Sequence, residues 1–260
     1  MLRAWLVLAI GAGTLYAQVK AFTGARIYDG TGAPLVSNGT IVVEAGRVKA
    51  IGPAARVQIP AGAQRIDVSG KTIVPGMINA HGHVADTQGL RTGAQFYTEE
   101  NLLRQLGLYA RYGVTTVFSL GGDREAGFKL RGQQETPALN RARVYVAGEI
   151  ITGKTPEEAR AQVDRVAATK PNMIKIRVDD NLGVNPKMAP EVNRAVIDQT
   201  RQHNLAVAAH LFYLEDARGL LESGVGLVPH SIRDKEVDQQ TIGLLKTRGI
   251  CVVPTFTREV

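Results

Sequence analysis

Val74-Pro75-Gly76-Met77-Ile78-Asn79-Ala80-His81-Gly82-His83 is the stretch on which the reading of this chain turns. Before it, the pattern is short strands and tight turns with no helical period. After it, apolar runs alternate with amphipathic stretches. Within it, Met77 to Ala80 is a short apolar strand, and His81 and His83 follow at the spacing that puts both imidazoles on one face of an extended chain. Gly82 between them leaves room for close backbone packing. Zinc sites and ordinary loops both use a His-x-His pair, so its meaning depends on the other residues that the fold collects.

Upstream, from about Val19 to Val74, Thr40 to Glu44 and Arg47 to Ile51 flank Ala45-Gly46, a hairpin signal, and Ser69-Gly70 marks a further turn. This small all-β unit is marginal alone and calls for a partner surface. Downstream, apolar runs occur at Thr115–Leu120, Val144–Ile151, Met173–Val178, Ala206–Leu211, Gly226–Val228 and Cys251–Phe256. Helices separate them. Thr155-Pro156-Glu157-Glu158 is a capping box with Pro at the first helical position, and Lys170-Pro171 stops that helix. Pro190 opens the next one. Gly224 and Gly249 end two more.

Seven apolar strands alternating with helices predict a parallel sheet covered by helices, either a (β/α)8 barrel or an open doubly wound sheet. Leu120-Gly121-Gly122-Asp123 lacks the full dinucleotide fingerprint and speaks only weakly for the open sheet. Polar residues at the ends of several different strands favour the barrel. Of five histidines, four end an expected strand: His81, His83, His210 and His230. His203 lies on a polar helix end and reads as a surface residue. Lys175 sits inside Met173-Ile174-Lys175-Ile176, where burial and nearby positive charge favour the neutral amine. Such an amine can add to carbon dioxide and become an anionic carbamate ligand. A strand-end lysine whose ammonium reaches solvent gives the same pattern.

With these residues in place, the chain from about Phe22 onward resembles the amidohydrolase superfamily. It is most similar to the branch with imidazolonepropionases and metal-dependent Xaa-Pro and Xaa-Arg dipeptidases. The resemblance implies a TIM-type barrel over residues 75–260, preceded by a small β-sandwich-like unit over residues 18–74. It implies two divalent ions, Zn2+ by preference. His81 and His83 would hold the more buried ion, a carboxylated Lys175 would bridge, and His210 and His230 would hold the second ion and aid catalysis. The implied chemistry is hydrolysis of an amide-like C–N bond in a small-molecule substrate, a cyclic amide or a dipeptide. Arg177, Tyr213 and Arg233 are the candidates for binding that substrate, the arginines through a carboxylate. The family carries Asp where this chain has Asn79. It also carries an Asp on an eighth strand, whereas this chain stops at Thr257-Arg258-Glu259-Val260 after the seventh. The expectation is therefore an incomplete barrel and an N-terminal fragment with little activity of its own.

Composition sets the outer limits. A hydrophobic fraction of 44% over 260 residues supports a substantial core. The net charge of +7 is dispersed, without basic clusters interleaved with aromatics, so no nucleic acid is expected. Met1-Leu2-Arg3, the apolar Ala4 to Leu15 and Tyr16-Ala17-Gln18 read as a signal peptide over residues 1–17. That predicts export to a periplasmic or extracellular location, with no stable membrane span after cleavage. Homo-oligomerisation stays open. The single cysteine, Cys251, lies in Ile250-Cys251-Val252-Val253 and reads as a buried core thiol. Two rival readings accompany the hydrolase: a catalytically inactive truncated fragment, and a periplasmic small-molecule binding protein on an open sheet.

Overall fold

A computed structural model describes residues 18–255 of the chain. The expected signal peptide and the Phe256 end of the last expected strand lie outside the described residues. Two compact units result, one of the described residues up to Pro75 with Thr136–Ala138, the other of Gly76–Glu135 and the residues from Leu139 on.

The first unit is built on β1 (Lys20–Ile27), β2 (Val36–Glu44), β3 (Arg47–Pro53), β4 (Gln64–Asp67) and β5 (Thr72–Ile73). Ala45 and Gly46 both take positive φ, 49° and 74°, the backbone that a two-residue hairpin requires, and β2 and β3 pair antiparallel across them. Asp67 Oδ1 accepts from the Ser69 amide at 2.9 Å and closes the second turn. Both β4 and β5 then pair with β1, in parallel. Among the described residues the unit is thus one mixed five-stranded sheet, not the two-layered sandwich-like unit expected. β4 and β5, on either side of the second turn, extend the first layer instead of building another.

The second unit opens with β6 (Met77–Gly82), a small hairpin of β7 (Thr87–Gln88) and β8 (Arg91–Thr92), and α1 (Glu99–Arg111). Then come β9 (Val114–Ser119), α2 (Glu125–Gly132), β10 (Arg143–Val146), β11 (Ile150–Ile151), α3 (Pro156–Ala168), β12 (Ile174–Arg177) and α4 (Pro190–Gln202). It ends with β13 (Val207–His210), α5 (Leu214–Ser223), β14 (Leu227–Pro229), α6 (Gln239–Arg248) and β15 (Cys251–Val253). All pairings among β6, β9 to β15 are parallel. They form a sheet in the order β10-β9-β6 and another in the order β11-β12-β13-β14-β15. The alternating pattern therefore gives the expected α/β layering. β6 and β15 do not pair among the described residues, so closure into a barrel is not seen.

The expected strand Val144–Ile151 is split into β10 and β11. Gly148 turns to a φ of 77° between them, and its amide donates to Asp123 Oδ2 at 3.1 Å, while the Ala147 amide is shared between Asp123 Oδ2 at 2.9 Å and the Ser119 carbonyl at 3.1 Å. Strand periodicity sorts the two faces. Ile174, Ile176, Val207 and Ala209 pack with Val163, Val196 and Leu220 of the helices. Each fully buried aliphatic side chain there stabilises by roughly 1.5–3 kcal/mol. Lys175, Arg177, Ala208 and His210 take the other face, Lys175 beside Ala208 and Arg177 beside His210. Cys251 is exposed, not buried as expected. Among the described residues its strand, β15, pairs with β14 on one side only, so its thiol lacks the cover that an interior strand would give. Among the described residues no helix is long and apolar enough to cross a membrane.

Candidate active site

Four imidazoles meet on the face opposite the helices. The His81 ring lies edge-on to His83, with centroids 5.4 Å apart, and to His230 at 4.5 Å. His230 in turn packs against His210 at 4.2 Å. β6, the end of β14 and the end of β13 deliver them, and Lys175 comes from β12 between. His81, Lys175, His210 and His230 are all buried, while His83 keeps an exposed edge. The residues expected from sequence to form the centre are therefore brought together.

Local contacts fix each ring. The His81 amide donates to Asn79 Oδ1 at 3.1 Å, and Asn79 Nδ2 donates to the Tyr109 hydroxyl. His83 Nδ1 lies 3.2 Å from the Gly121 carbonyl, which can only accept, so the proton sits on Nδ1 and Nε2 keeps its lone pair. His210 Nε2 meets Asp179 Oδ2 at 2.8 Å, both groups buried. His230 hydrogen-bonds Thr255 through Nδ1 and holds a φ of 96°. That is a costly backbone for a non-glycine residue, on the order of 1–3 kcal/mol, of the kind that clusters at functional sites.

The electrostatics favour the neutral forms of His81, His83 and Lys175. Burial, then the charge of Lys175 and then the neighbouring imidazoles, press His81 down to about 2. His83 is lowered mainly by the protein mass around it, against the opposing pull of the Gly121 carbonyl. Burial brings Lys175 down to about 7, helped by Arg177 and opposed by Asp179. Both ring nitrogens of His81, Lys175 Nζ and Asp179 Oδ1 are buried without a hydrogen-bond partner. Each such atom costs about 1–3 kcal/mol unless something binds it. Among the described residues no group of three or more His, Cys, Asp or Glu side chains is already arranged around a single ion position. The donor chemistry nonetheless fits a divalent cation, because neutral imidazoles with bare nitrogens are what borderline metals prefer.

The three substrate-binding candidates differ in freedom. Arg177 is exposed on the site face next to His210. The Tyr213 hydroxyl donates to Asp180 Oδ1 at 2.8 Å, and its ring lies 3.6 Å from Lys187 Nζ. Arg233 donates to the Leu211 carbonyl and packs its guanidinium over Phe212. Asp179 and Asp123 were not singled out from sequence as site residues. Each follows an apolar strand by no more than a few residues, and the tendency of such folds to gather functional groups at strand C-termini was the available signal.

No family model matches the chain. It is 22% identical over 211 residues to the enamidase of Eubacterium barkeri, across 62% of this chain and 53% of that one. It is 34% identical over 77 residues to the imidazolonepropionase of Rhizobium rhizogenes, across 29% of this chain and 18% of the relative. Among solved structures, a Bifidobacterium longum protein assigned as a prolidase superposes with a TM-score of 0.74 at 27% identity, over 89% of this chain and 58% of that one. Fold and structural neighbours agree on a class, an α/β domain built on parallel strands. Within that class, the relatives and the structural neighbours point to the amidohydrolase superfamily. It spans about half the length of the enamidase and of the prolidase-like structure.

Proposed function

We propose that this chain supplies the metal-binding side of a hydrolase that cleaves an amide-like C–N bond, in a cyclic amide or a dipeptide. The observation that carries the reading is the convergence of His81, His83, Lys175, His210 and His230 on one buried face with bare nitrogens on His81 and Lys175. In this reading the seven strand positions belong to a (β/α)8 barrel. His81 and His83 would hold one divalent ion, Zn2+ by preference, and His210 and His230 a second. Lys175 Nζ would add to carbon dioxide, forming one C–N bond and releasing one proton to water, and the resulting carboxylate would be a further oxygen ligand. Ions bound there would lower the pKa of water and draw electron density from the carbonyl to be attacked.

The chain's own groups prepare the site. Asp179 meets the His210 ring through Nε2 and orients it. Gly121 fixes the His83 tautomer, and Asn79 holds the His81 backbone. Arg177 stands exposed beside His210, where a bidentate contact would seat a substrate carboxylate.

Elemental analysis of the purified protein tests the reading, with about two zinc-like ions per chain expected for such a centre. His81→Ala combined with His83→Ala should lose the metal, and chelation should abolish hydrolysis of cyclic amide and dipeptide substrates. Full metal content in the double variant, or hydrolysis indifferent to chelators, would remove these residues from the centre. A binding protein would instead keep its ligand after chelation.

A further inference from the structure

The Leu120-Gly121-Gly122-Asp123 turn, which sequence pattern connects only weakly with dinucleotides, lies against the imidazole cluster. Gly121 takes a φ of +108° and Gly122 a φ of +83°. A Cβ on Gly121 would sit 2.6 Å from Ile150 Cγ1 and 3.3 Å from Lys175 Cγ, and one on Gly122 would sit 3.1 Å from Asp86 Oδ2. The turn thus threads between Ile150, Lys175 and Asp86 with no space for side chains. Its one contact to an imidazole is the Gly121 carbonyl, which receives His83 Nδ1. The direction of that carbonyl decides which His83 nitrogen bears the proton.

What aims the carbonyl is the residue that follows. The amides of Gly122 and Asp123 both donate to the Gly148 carbonyl, at 2.9 and 3.3 Å. In return Asp123 Oδ2 accepts from the Ala147 and Gly148 amides at 2.9 and 3.1 Å, and Tyr97 donates its hydroxyl to Oδ1 at 3.2 Å. Asp123 is itself only 6% exposed. Reciprocal bonds of this kind lock two chain segments together, so the peptide preceding them has little freedom. We propose that Asp123 is a positioning residue of the imidazole site, holding the Gly121–Gly122 turn so that the His83 ring keeps its proton on Nδ1 and offers Nε2 to the site. Only the part of this inference that concerns metal affinity rests on the hydrolase reading above. The His83 tautomer depends on the contacts alone.

A purely architectural role for Asp123 would lower stability and leave the tautomer of one histidine untouched, and the two are separable. The full chain is labelled with 15N-histidine, stripped of metal by a chelator and examined by long-range 1H–15N spectra at a pH where the rings are neutral. His83 should carry its proton on Nδ1. In Asp123→Ala a substantial fraction should move to Nε2, while the His210 ring, held by Asp179, stays as it was. With Zn2+ alone as the probe, competition against a chromophoric chelator should show a 10- to 100-fold weaker affinity, the range seen when a partner that orients a ligand is lost. Asp123→Asn keeps an oxygen for the two amides as a weaker acceptor, and should shift both readings in the same direction by less. If Asp123→Ala does not fold, Asp123→Asn carries the test. A folded variant with the parent's His83 tautomer and a zinc affinity within twofold overturns the proposal. A shifted tautomer in a protein that binds no Zn2+ at all upholds the positioning role and sinks the metal reading of the site instead.

Discussion

Asp123 also has a consequence for stability that pH should expose. Burial raises its carboxyl from 3.8 to about 6, against the opposing hydrogen bonds from Ser119, Ala147, Gly148 and Tyr97. As pH rises from about 4, the unfolded chain loses this proton first, so the native state holds the larger number of bound protons. Stability from this group is then full below about 4, falls through the interval up to about 6 and is flat above it. Two units correspond to roughly 3 kcal/mol as an upper figure. Asp123→Asn should flatten that interval, so urea midpoints of parent and variant from pH 4 to 7 should converge as pH rises. Parallel curves would show that the carboxyl does not titrate in this window. His203 is the opposite case. It is exposed on the end of α4 and bonded to Asp164, and His203→Ala should change stability by less than about 1 kcal/mol and leave metal content alone. Histidines were legible because their spacing and strand-end positions are local. Asp179 and Asp123 were not, since their partners lie 31 and 24 residues away in sequence and only the fold supplies them.

Among the elements, the helices were read most directly, because their signals lie within one turn. Thr155 Oγ1 accepts from the Glu158 amide at 3.2 Å, and the Glu158 carboxylate returns a bond to the Lys154 amide at 2.9 Å. The capping box is thus present in a variant that reaches one residue before the cap. Gly224 and Gly249 end α5 and α6 in the left-handed conformation that a side chain resists. Thr155→Ala should destabilise by about 1 kcal/mol, and Thr155→Ser should restore most of that, as read by urea denaturation. Equal midpoints for all three proteins would mean that α3 is held by its packing alone. Strand boundaries fared worse where a distant group intervened. Val144–Ile151 has the composition of one strand, and nothing local announces that Asp123 takes the Gly148 amide and shares the Ala147 amide with Ser119.

At the scale of the whole molecule, alternating strands and helices were enough to give a parallel sheet with helices on one side and charged groups on the other. An incomplete barrel was the expectation from the resemblance, and β6 and β15 do not pair among the described residues. Periodicity alone could not decide this, because pairing between first and last strands depends on shear and tilt that no local signal encodes. The same limit explains Cys251. An apolar neighbourhood in sequence, Ile250 to Val253, suggested an interior thiol, yet burial depends on whether a neighbour covers both edges of β15. Among the described residues only β14 does, and Cys251 is exposed. The chain should therefore react with a thiol reagent in the native state, one equivalent per molecule, at a rate close to that in denaturant. An exposed apolar strand edge also invites pairing with a second copy, so the measurement belongs across a range of protein concentrations. Rapid labelling at every concentration supports an open β15 edge. Protection that grows with concentration would place a second copy on that edge, and protection even at high dilution would mean that this chain covers the strand itself.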